Sequence, residues 1–498
     1  MEALDHLVMG LTVAATWNNL LYCFIGCLLG TLVGVLPGIG PSATIAMLLP
    51  ITFTLEPTGA LIMLAGIFYG AQYGGSTTSI LVNLPGQPES VVTTLDGYQM
   101  ARQGRGGIAL TTSALGSFFA GCVATIVIAT LSPILARMAL RFGPAEYFSL
   151  MVLGLISLAV IAQGSLLKAL AMIVLGLTIG LVGTDVTTGA HRLTFGLLEL
   201  SDGISLIAVS MGMFGLGEII RNLEHRTVRS TVTAVSSLWP SRQDYREMTP
   251  PILRGTALGA VLGILPGGGA ILASFAAYAM EKKLSATPER FGKGAIAGVA
   301  APEAANNAAA QTSFIPMLTL GLPSNVIMAM MASVMIMQGI LPGPGVMVER
   351  PTLFWGLIAS MWIGNLMLVI LNLPLIGIWV RLLSIPYRLL YPAIIVFCSV
   401  GIYTTNNSTF DLYVMVAFGL IGYAMIKLDC EPAPLLLGML LGPMMEENLR
   451  RAMLLSRGDP MVFIERPISA GLLCAALVAL VVVALPAVRR ERAVAMQE

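Results

Sequence analysis

The stretch GTLVGVLPGIG, Gly30–Gly40, sets a Leu-Pro-Gly-x-Gly break directly behind a run that otherwise reads as membrane-spanning. A proline inside a helix removes a backbone hydrogen bond, and flanking glycines add conformational freedom. Such a break persists at membrane depth only where protein or a water-filled cavity satisfies the freed groups. The same pattern, GxxxGxLPGxG, returns as GAVLGILPGGG at Gly259–Gly269, every fixed position matching at one constant offset: Gly30 with Gly259, Gly34 with Gly263, Pro37 with Pro266. A looser correspondence follows in each half. GAQYGGSTTSILVNLPGQPES (Gly70–Ser90) faces PEAANNAAAQTSFIPMLTLGLPSN (Pro302–Asn325), both with small residues, a Ser/Thr cluster, an apolar run and Leu-Pro. Repetition on this scale divides the chain into a first repeat (1–220), a basic linker (221–254) and a second repeat (255–498).

The surroundings of the break identify its solvent. Of 498 residues, 56% are hydrophobic and only 11% charged, against about 25% charged in an average soluble domain. Apolar runs recur along the chain, among them Ile108 to Ala136, Tyr147 to Ala162, Leu166 to Val182 and Ile204 to Ile220. With ~20 residues needed per crossing, the expectation is an all-α integral membrane protein with about ten to twelve inserted segments. The start, MEALDH, lacks the basic region and cleavage site of a signal peptide and is read as retained. A net charge of +1 offers no basic face to nucleic acid. The six cysteines (Cys23, Cys27, Cys122, Cys398, Cys430, Cys474) are scattered, mostly in apolar segments, and read as packing residues. Three histidines without HExxH spacing, no nucleophile elbow, and Asp185 and Asp202 outside any aspartyl-protease context argue against an enzyme, and no metal site is expected.

Charge orients the halves. The linker carries Arg221, Arg226, Arg229, Arg242, Arg246 and Arg254 and is expected to be cytoplasmic. After the first glycine motif the loop TFTLEPTG has no base, whereas EKKLSATPERFGKG after the second has Lys282, Lys283, Arg290 and Lys293. The next loop pair shows the opposite bias: DGYQMARQGRGG has Arg102 and Arg105, and QGILPGPGVMVER only Arg350. Both comparisons favour inverted repeats with the N-terminus outside. Equal inverted halves would also put the C-terminus outside, against the basic RRER near it, so an extra or missing span is required.

Gly30, Gly34, Gly259 and Gly263 form a small-xxx-small pattern suited to close helix packing. The Leu-Pro-Gly-x-Gly that follows instead calls for a discontinuous helix or re-entrant tip, and paired interruptions of this kind mark transporter binding sites. Gly38, Gly40, Ser42 and Thr44, with Gly267, Gly268, Gly269 and Ser274, would offer backbone N–H groups and hydroxyls at restarting helix N-termini, where a carboxylate binds without a full cation. The second elements add Ser76, Thr77, Thr78, Ser79 and Asn83 opposite Asn306, Asn307, Gln311, Thr312, Ser313, Ser324 and Asn325. Some of these hydroxyls are expected only to bond the preceding helical turn. Of the ionisable residues in or near spans (Lys168, Asp185, Asp202, Glu218, Glu303, Lys427, Asp429), Glu303 alone lies inside a polar element. With Asn307 and Asn325 it is a candidate for ion coupling. Importing two or three carboxylates against ~100 mV costs roughly 5 to 7 kcal/mol, which makes Na⁺ or H⁺ the expected co-transported ion.

In order along the chain, GTLVGVLPGIGP, YGGSTTSILVNLPG, GAVLGILPGGGAILASFAAY, PEAANNAAAQTSFIPMLTLGLPS and PLLLGMLLGPMMEENLRRAM (Pro434–Met453) resemble the large membrane subunit of the tripartite tricarboxylate transporter family. The resemblance implies a bacterial inner-membrane, multi-pass secondary transporter of carboxylates. It also implies two partners, a small four-span membrane subunit and a periplasmic solute-binding protein, and inverted repeats with re-entrant hairpins. It leaves the substrate open. The charged segment Glu446–Arg451 reads as a solvated helix end, and a passive anion channel is the competing function.

Overall fold

Both glycine-rich runs are helical up to the break and helical again after it. The computed structural model describes residues 2–36, 41–52, 54–161, 165–185, 188–224, 237–265, 269–382 and 387–484. The break residues Pro37, Gly38, Ile39 and Gly40, and Pro266, Gly267 and Gly268, lie outside the described residues. In the first half the helices are α1 (Glu2–Ala14), α2 (Trp17–Val35), α3 (Pro41–Thr52), α4 (Pro57–Val82), α5 (Val91–Met100), α6 (Gly106–Ala139), α7 (Pro144–Ile161), α8 (Leu166–Gly180), α9 (Leu206–Ser210) and α10 (Gly217–Glu224). A two-stranded hairpin, β1 (Gly183–Thr184) with β2 (His191–Arg192), joins α8 to α9. The second half holds α11 (Arg242–Leu262), α12 (Gly269–Leu284), α13 (Ala297–Thr312), α14 (Phe314–Leu320), α15 (Val326–Met337), α16 (Gly345–Glu349), α17 (Pro351–Asn372), α18 (Ile376–Leu382), α19 (Tyr387–Asn406), α20 (Thr409–Lys427), α21 (Pro432–Leu455), α22 (Val462–Glu465) and α23 (Pro467–Ala484). The arginine-rich linker thus becomes helix α11 at Arg242, whose start is fixed by a capping box between Ser241 and Asp244.

The chain is a membrane protein by its helices. Trp17–Val35, Pro88–Ala139, Pro351–Asn372 and Thr409–Lys427 are long and apolar enough to cross a membrane, and five further apolar helices are shorter. Helix α3 has 12 residues and α12 has 16. At ~1.5 Å per residue neither reaches across a ~30 Å hydrocarbon core.

The glycine stripes are where helix backbones touch. A Cβ built on Gly26, Gly30 or Gly34 of α2 would strike the carbonyl oxygen of Met63, Ile67 or Ala71 on α4. In return, one on Gly70 would come within 2.6 Å of the Cys27 carbonyl oxygen. In the second half Gly255 and Gly259 of α11, and Gly263 just past its end, meet the carbonyls of Ala301, Ala305 and Ala309 on α13 in the same way. The partners are themselves equivalent, Met63 with Ala301, Ile67 with Ala305 and Ala71 with Ala309. The same spacing pairs Asn83 with Gly321, the left-handed caps that end α4 and α14 before Leu-Pro.

Loops from the two halves meet crosswise. Gln103 donates to the Lys293 carbonyl (2.8 Å), and Gln338 to the carbonyls of Thr52 (3.1 Å) and Leu55 (3.4 Å). The basic loops thus lie together, beside the ion pairs Arg105–Asp244, Arg254–Glu281 and Arg290–Glu247. At one end of the α8–α10 and α20–α21 group, Lys427 pairs with Glu224 (2.6 Å) and Lys168 donates to the Leu428 carbonyl (2.6 Å). At the other, Arg192 and Arg450 reach Glu446, each at 2.7 Å. Helix α23 lies along α7, running in the same direction: Ser149 and Ser469 hydroxyls are 2.7 Å apart and the rings of Phe148 and Phe463 5.0 Å apart.

Because backbone sits against backbone, Gly30→Ala and Gly259→Ala are each expected to cost about 1–3 kcal/mol, read as a lowered thermal midpoint in detergent. Gly471 of α23 has nothing within 4 Å of an added Cβ, so Gly471→Ala should be neutral or slightly stabilising.

Candidate functional site at the crossing of the polar segments

Helix α13 spends one face on α11 and turns its polar residues towards α4 and α6. Ala301, Ala305 and Ala309, four apart, carry the α11 contact. On the remaining faces Asn306 Nδ2 donates to Gln72 Oε1 of α4 (2.8 Å), and Asn307 Nδ2 donates to Ser117 Oγ of α6 (2.7 Å) and to the Glu303 carbonyl (3.0 Å). Gln87 Nε2 joins the cluster, donating to the Ala71 carbonyl (2.6 Å) and to Gln72 Oε1 (3.1 Å). One turn on, Thr125 of α6 donates to Gln311 Oε1 (2.9 Å). The two polar elements, distant in sequence, therefore cross in space.

Glu303 lies at the centre, 1% exposed. Ser76 Oγ is 2.5 Å and Ser113 Oγ 3.0 Å from its Oε2, and Thr93 Oγ1 contacts its Oε1. These hydroxyls come from α4, α6 and α5, so four helices close on one carboxyl. Glu303 makes no ion pair among the described residues.

Several buried polar atoms around the crossing have no hydrogen-bond partner: Gln72 Nε2, Tyr73 Oη, Gln87 Oε1, Asn306 Oδ1 and Tyr69 Oη. Leaving a buried polar atom unpaired costs about 1–3 kcal/mol. Three of them, Gln72 Nε2, Gln87 Oε1 and Asn306 Oδ1, belong to the amides that bond one another at the crossing.

The residues singled out from sequence divide sharply. Ser76, Glu303, Asn306 and Asn307 meet in the cluster. Thr78 instead donates to the Val35 carbonyl (2.9 Å), an orphan acceptor where α2 stops, so it ties α4 to the break itself. Thr77, Thr312 and Ser313 bond carbonyls of the preceding turn, and Ser324 bonds the Ser313 carbonyl. Asn83 is exposed and left-handed, ending α4, and Asn325 caps α15 by accepting from the Met328 amide. Ser42 opens α3, half-buried, and Gly269 opens α12 against the Leu262 carbonyl. Gly38, Gly40, Gly267 and Gly268 fall outside the described residues. Sequence reasoning missed Gln72, Tyr73, Gln87, Thr93, Ser113 and Ser117. The signal available was an amide or hydroxyl in an apolar stretch, which many satisfied residues share.

Four other buried carboxylates are structurally engaged. Asp96 accepts the Gly294 and Ala295 amides (2.8 and 2.7 Å) and the Tyr278 hydroxyl (2.9 Å), pinning the loop that leads into α13. Glu281 pairs bidentately with Arg254 at 2.6 and 2.7 Å, and Glu146 pairs with Arg466. Asp185, 3% exposed, accepts from Arg450 at 2.7 and 3.0 Å. The charged segment Glu446–Arg451 is therefore more than a solvated end: Glu446 and Arg450 fasten the hairpin, while Glu447 and Arg451 pair at the surface.

A sequence profile described as the tripartite tricarboxylate transporter TctA family matches residues 20–437. The chain is 59% identical over 493 residues to the "uncharacterized 52.8 kDa protein in TAR-I ttuC' 3'region" of Agrobacterium vitis, covering 99% of this chain and 98% of the relative. It is 60% identical over 234 residues to the "uncharacterized protein in TAR-II ttuC' 3'region" of the same organism, covering 47% of this chain and 97% of that relative. No solved structure matches.

Removing Arg450 leaves the buried Asp185 short of its bidentate partner. Arg450→Ala is expected to lower the thermal midpoint and Arg451→Ala, from an exposed pair, to leave it nearly unchanged. Thermal midpoints of the two variants in detergent check the contrast.

Proposed function

Because the chain belongs to the tripartite tricarboxylate transporter TctA family, we propose that it is the large membrane subunit of a secondary transporter that imports carboxylates with Na⁺ or H⁺. The family is one of transporter components, not of enzymes. In this reading a periplasmic solute-binding protein delivers the substrate and a small four-span membrane subunit completes the complex in the bacterial inner membrane.

The observation that carries the proposal is the crossing of the two polar segments, one from each half, with unpaired polar atoms between them. Gln72 Nε2 and the Tyr73 hydroxyl are donors without acceptors, suited to a carboxylate. Asn306 Oδ1 and Gln87 Oε1 are acceptors without donors, suited to a cation. The interrupted helices α2–α3 and α11–α12 supply two more candidate contacts, at Gly38 and Gly40 and at Gly267, Gly268 and Gly269. Asn307 and Glu303 are the ion-coupling candidates inside the crossing.

The contacts at helix ends support inverted repeats. If the halves were related by inversion, the loop after α12 should share a side with the loop after α5, and the loop after α3 with the one after α15. The Gln103–Lys293 and Gln338–Leu55 bonds join those loops. Basic residues then mark the cytoplasmic side, and α23 would be the extra crossing that this arrangement needs.

Reconstituted with its two partner subunits, the chain should accumulate a carboxylate such as citrate only under an imposed Na⁺ or proton gradient. Gln72→Leu and Asn306→Leu should each slow uptake about tenfold to a hundredfold, the worth of a hydrogen bond to a charged group, with protein still in the membrane. Equilibration without accumulation, and without the binding protein, would identify a passive channel instead.

A further inference from the structure

Glu303 is a carboxyl buried in the helix crossing with no ion-pair partner among the described residues, and the hydroxyls around it leave a place for a hydrogen of its own. Ser76 Oγ lies 2.5 Å from Glu303 Oε2 and 3.0 Å from the Gln72 carbonyl oxygen. A serine hydroxyl has one hydrogen to donate. The Gln72 carbonyl lies four residues back in α4 and already accepts the Ser76 amide, so the Ser76 hydroxyl can either donate to the carboxyl or accept a hydrogen from it. The Thr93 and Ser113 hydroxyls point at Oε1 and Oε2.

We propose that Glu303 is a proton-binding site, occupied in this closed arrangement, and that its proton is the one coupled to transport. With the proton on Oε2 every position is served. The carboxyl donates to Ser76 Oγ, Ser76 donates to the Gln72 carbonyl, Ser113 donates to Oε2 and Thr93 donates to Oε1. The neutral form also meets the electrostatic demand, because a carboxylate buried at membrane depth without a partner is costly. A metal cation would have to enter between oxygens that here touch one another.

The surrounding titratable groups leave the carboxyl without a counter-charge. On the elements packed against α13 these are Tyr73 on α4, Glu89 in the turn Pro88–Ser90, Asp96 on α5, Cys122 on α6, Arg254 on α11, and Tyr278 and Glu281 on α12. Asp96 is held by two amides and Tyr278, and Arg254 is committed to Glu281. Tyr73, with Tyr69 one turn before it on α4, brings an unpaired hydroxyl to the crossing. It offers a donor or acceptor for the proton's entry or release when the helices part.

The proton's presence rests on the burial of the carboxyl without a counter-charge, and its coupling role rests on the transport reading above. Infrared spectroscopy of the full chain in lipid nanodiscs separates the two. A protonated-carboxyl C=O stretch should be present in wild type at pH 7, be absent from Glu303→Gln, and be unmoved by added Na⁺. No difference between the two proteins, or loss of the band on adding Na⁺ at fixed pH, would overturn the proposal. Glutamine reproduces the donor-and-acceptor pattern of a neutral carboxyl, so Glu303→Gln should keep the wild-type thermal midpoint while Glu303→Ala lowers it; equal losses would count against protonation. In proteoliposomes with both partner subunits, Glu303→Gln should lose at least tenfold of the acceleration given by an inward proton gradient. Wild type driven by Na⁺ and indifferent to that gradient would overturn the coupling role. Wild type that carries no carboxylate at all would sink the transport reading, leaving the infrared band to decide the proton.

Discussion

Backbone touching backbone is the constraint on which this molecule is built. Lipid tails are as apolar as leucine, so no hydrophobic force drives helices together within a bilayer. Close van der Waals contact must do so, which favours glycine and alanine at the interface. The α2–α4 and α11–α13 pairs use that solution at equivalent positions. Once Ala301, Ala305 and Ala309 are committed to α11, the geometry of a helix dictates that Glu303, Asn306 and Asn307 face elsewhere, into α4 and α6. The same holds for α4: Gly66, Gly70 and Gly74 lie on α2, which leaves Gln72 and Ser76, four apart, to meet α13. The polar crossing is a consequence of the glycine contacts.

That placement separates two kinds of polar residue that look alike in sequence. A serine or threonine on a helix can return its hydrogen to the carbonyl one turn back and so be satisfied without any ligand. Thr77, Thr312 and Ser313 do this. An amide side chain has two donors and a two-lone-pair acceptor, and one neighbour rarely satisfies them all. At the crossing the atoms left over belong to Gln72, Gln87 and Asn306, with the hydroxyls of Tyr69 and Tyr73. The unpaired polar atoms there therefore sit on amides and tyrosines more than on the hydroxyl clusters that stand out in the sequence.

This difference explains what could be read in advance. The helix interruptions, the repeat and the glycine stripes are local patterns with fixed spacing, and each was visible in the order of residues. Ser76, Glu303, Asn306 and Asn307 were legible too, since polar groups in apolar surroundings stand out. Thr93 and Ser113 were not, because nothing near them in sequence sets them apart from their neighbours Thr94, Thr111 and Thr112; their place comes from Glu303, 210 and 190 residues away. Asn83 shows the opposite failure. Polar and next to Leu-Pro, it has the look of a site residue, but a short polar side chain is also what tolerates a left-handed backbone at a helix end, and that is its place. Asp185 and Arg450 lie too far apart in sequence for any spacing rule to pair them.

The crosswise loop bonds carry the reasoning one step beyond the repeat itself. Two copies of one fold placed side by side in the same sense would join like loops. Here unlike loops are joined, Gln103 to Lys293 and Gln338 to Leu55, which is the relation an axis in the membrane plane would generate. Helix α23 runs along α7 from the Arg466–Glu146 pair onward. Were the halves inverted, one further apolar helix at the end of the second half is what would reconcile the opposed charges of the paired loops with the basic residues near the end of the sequence.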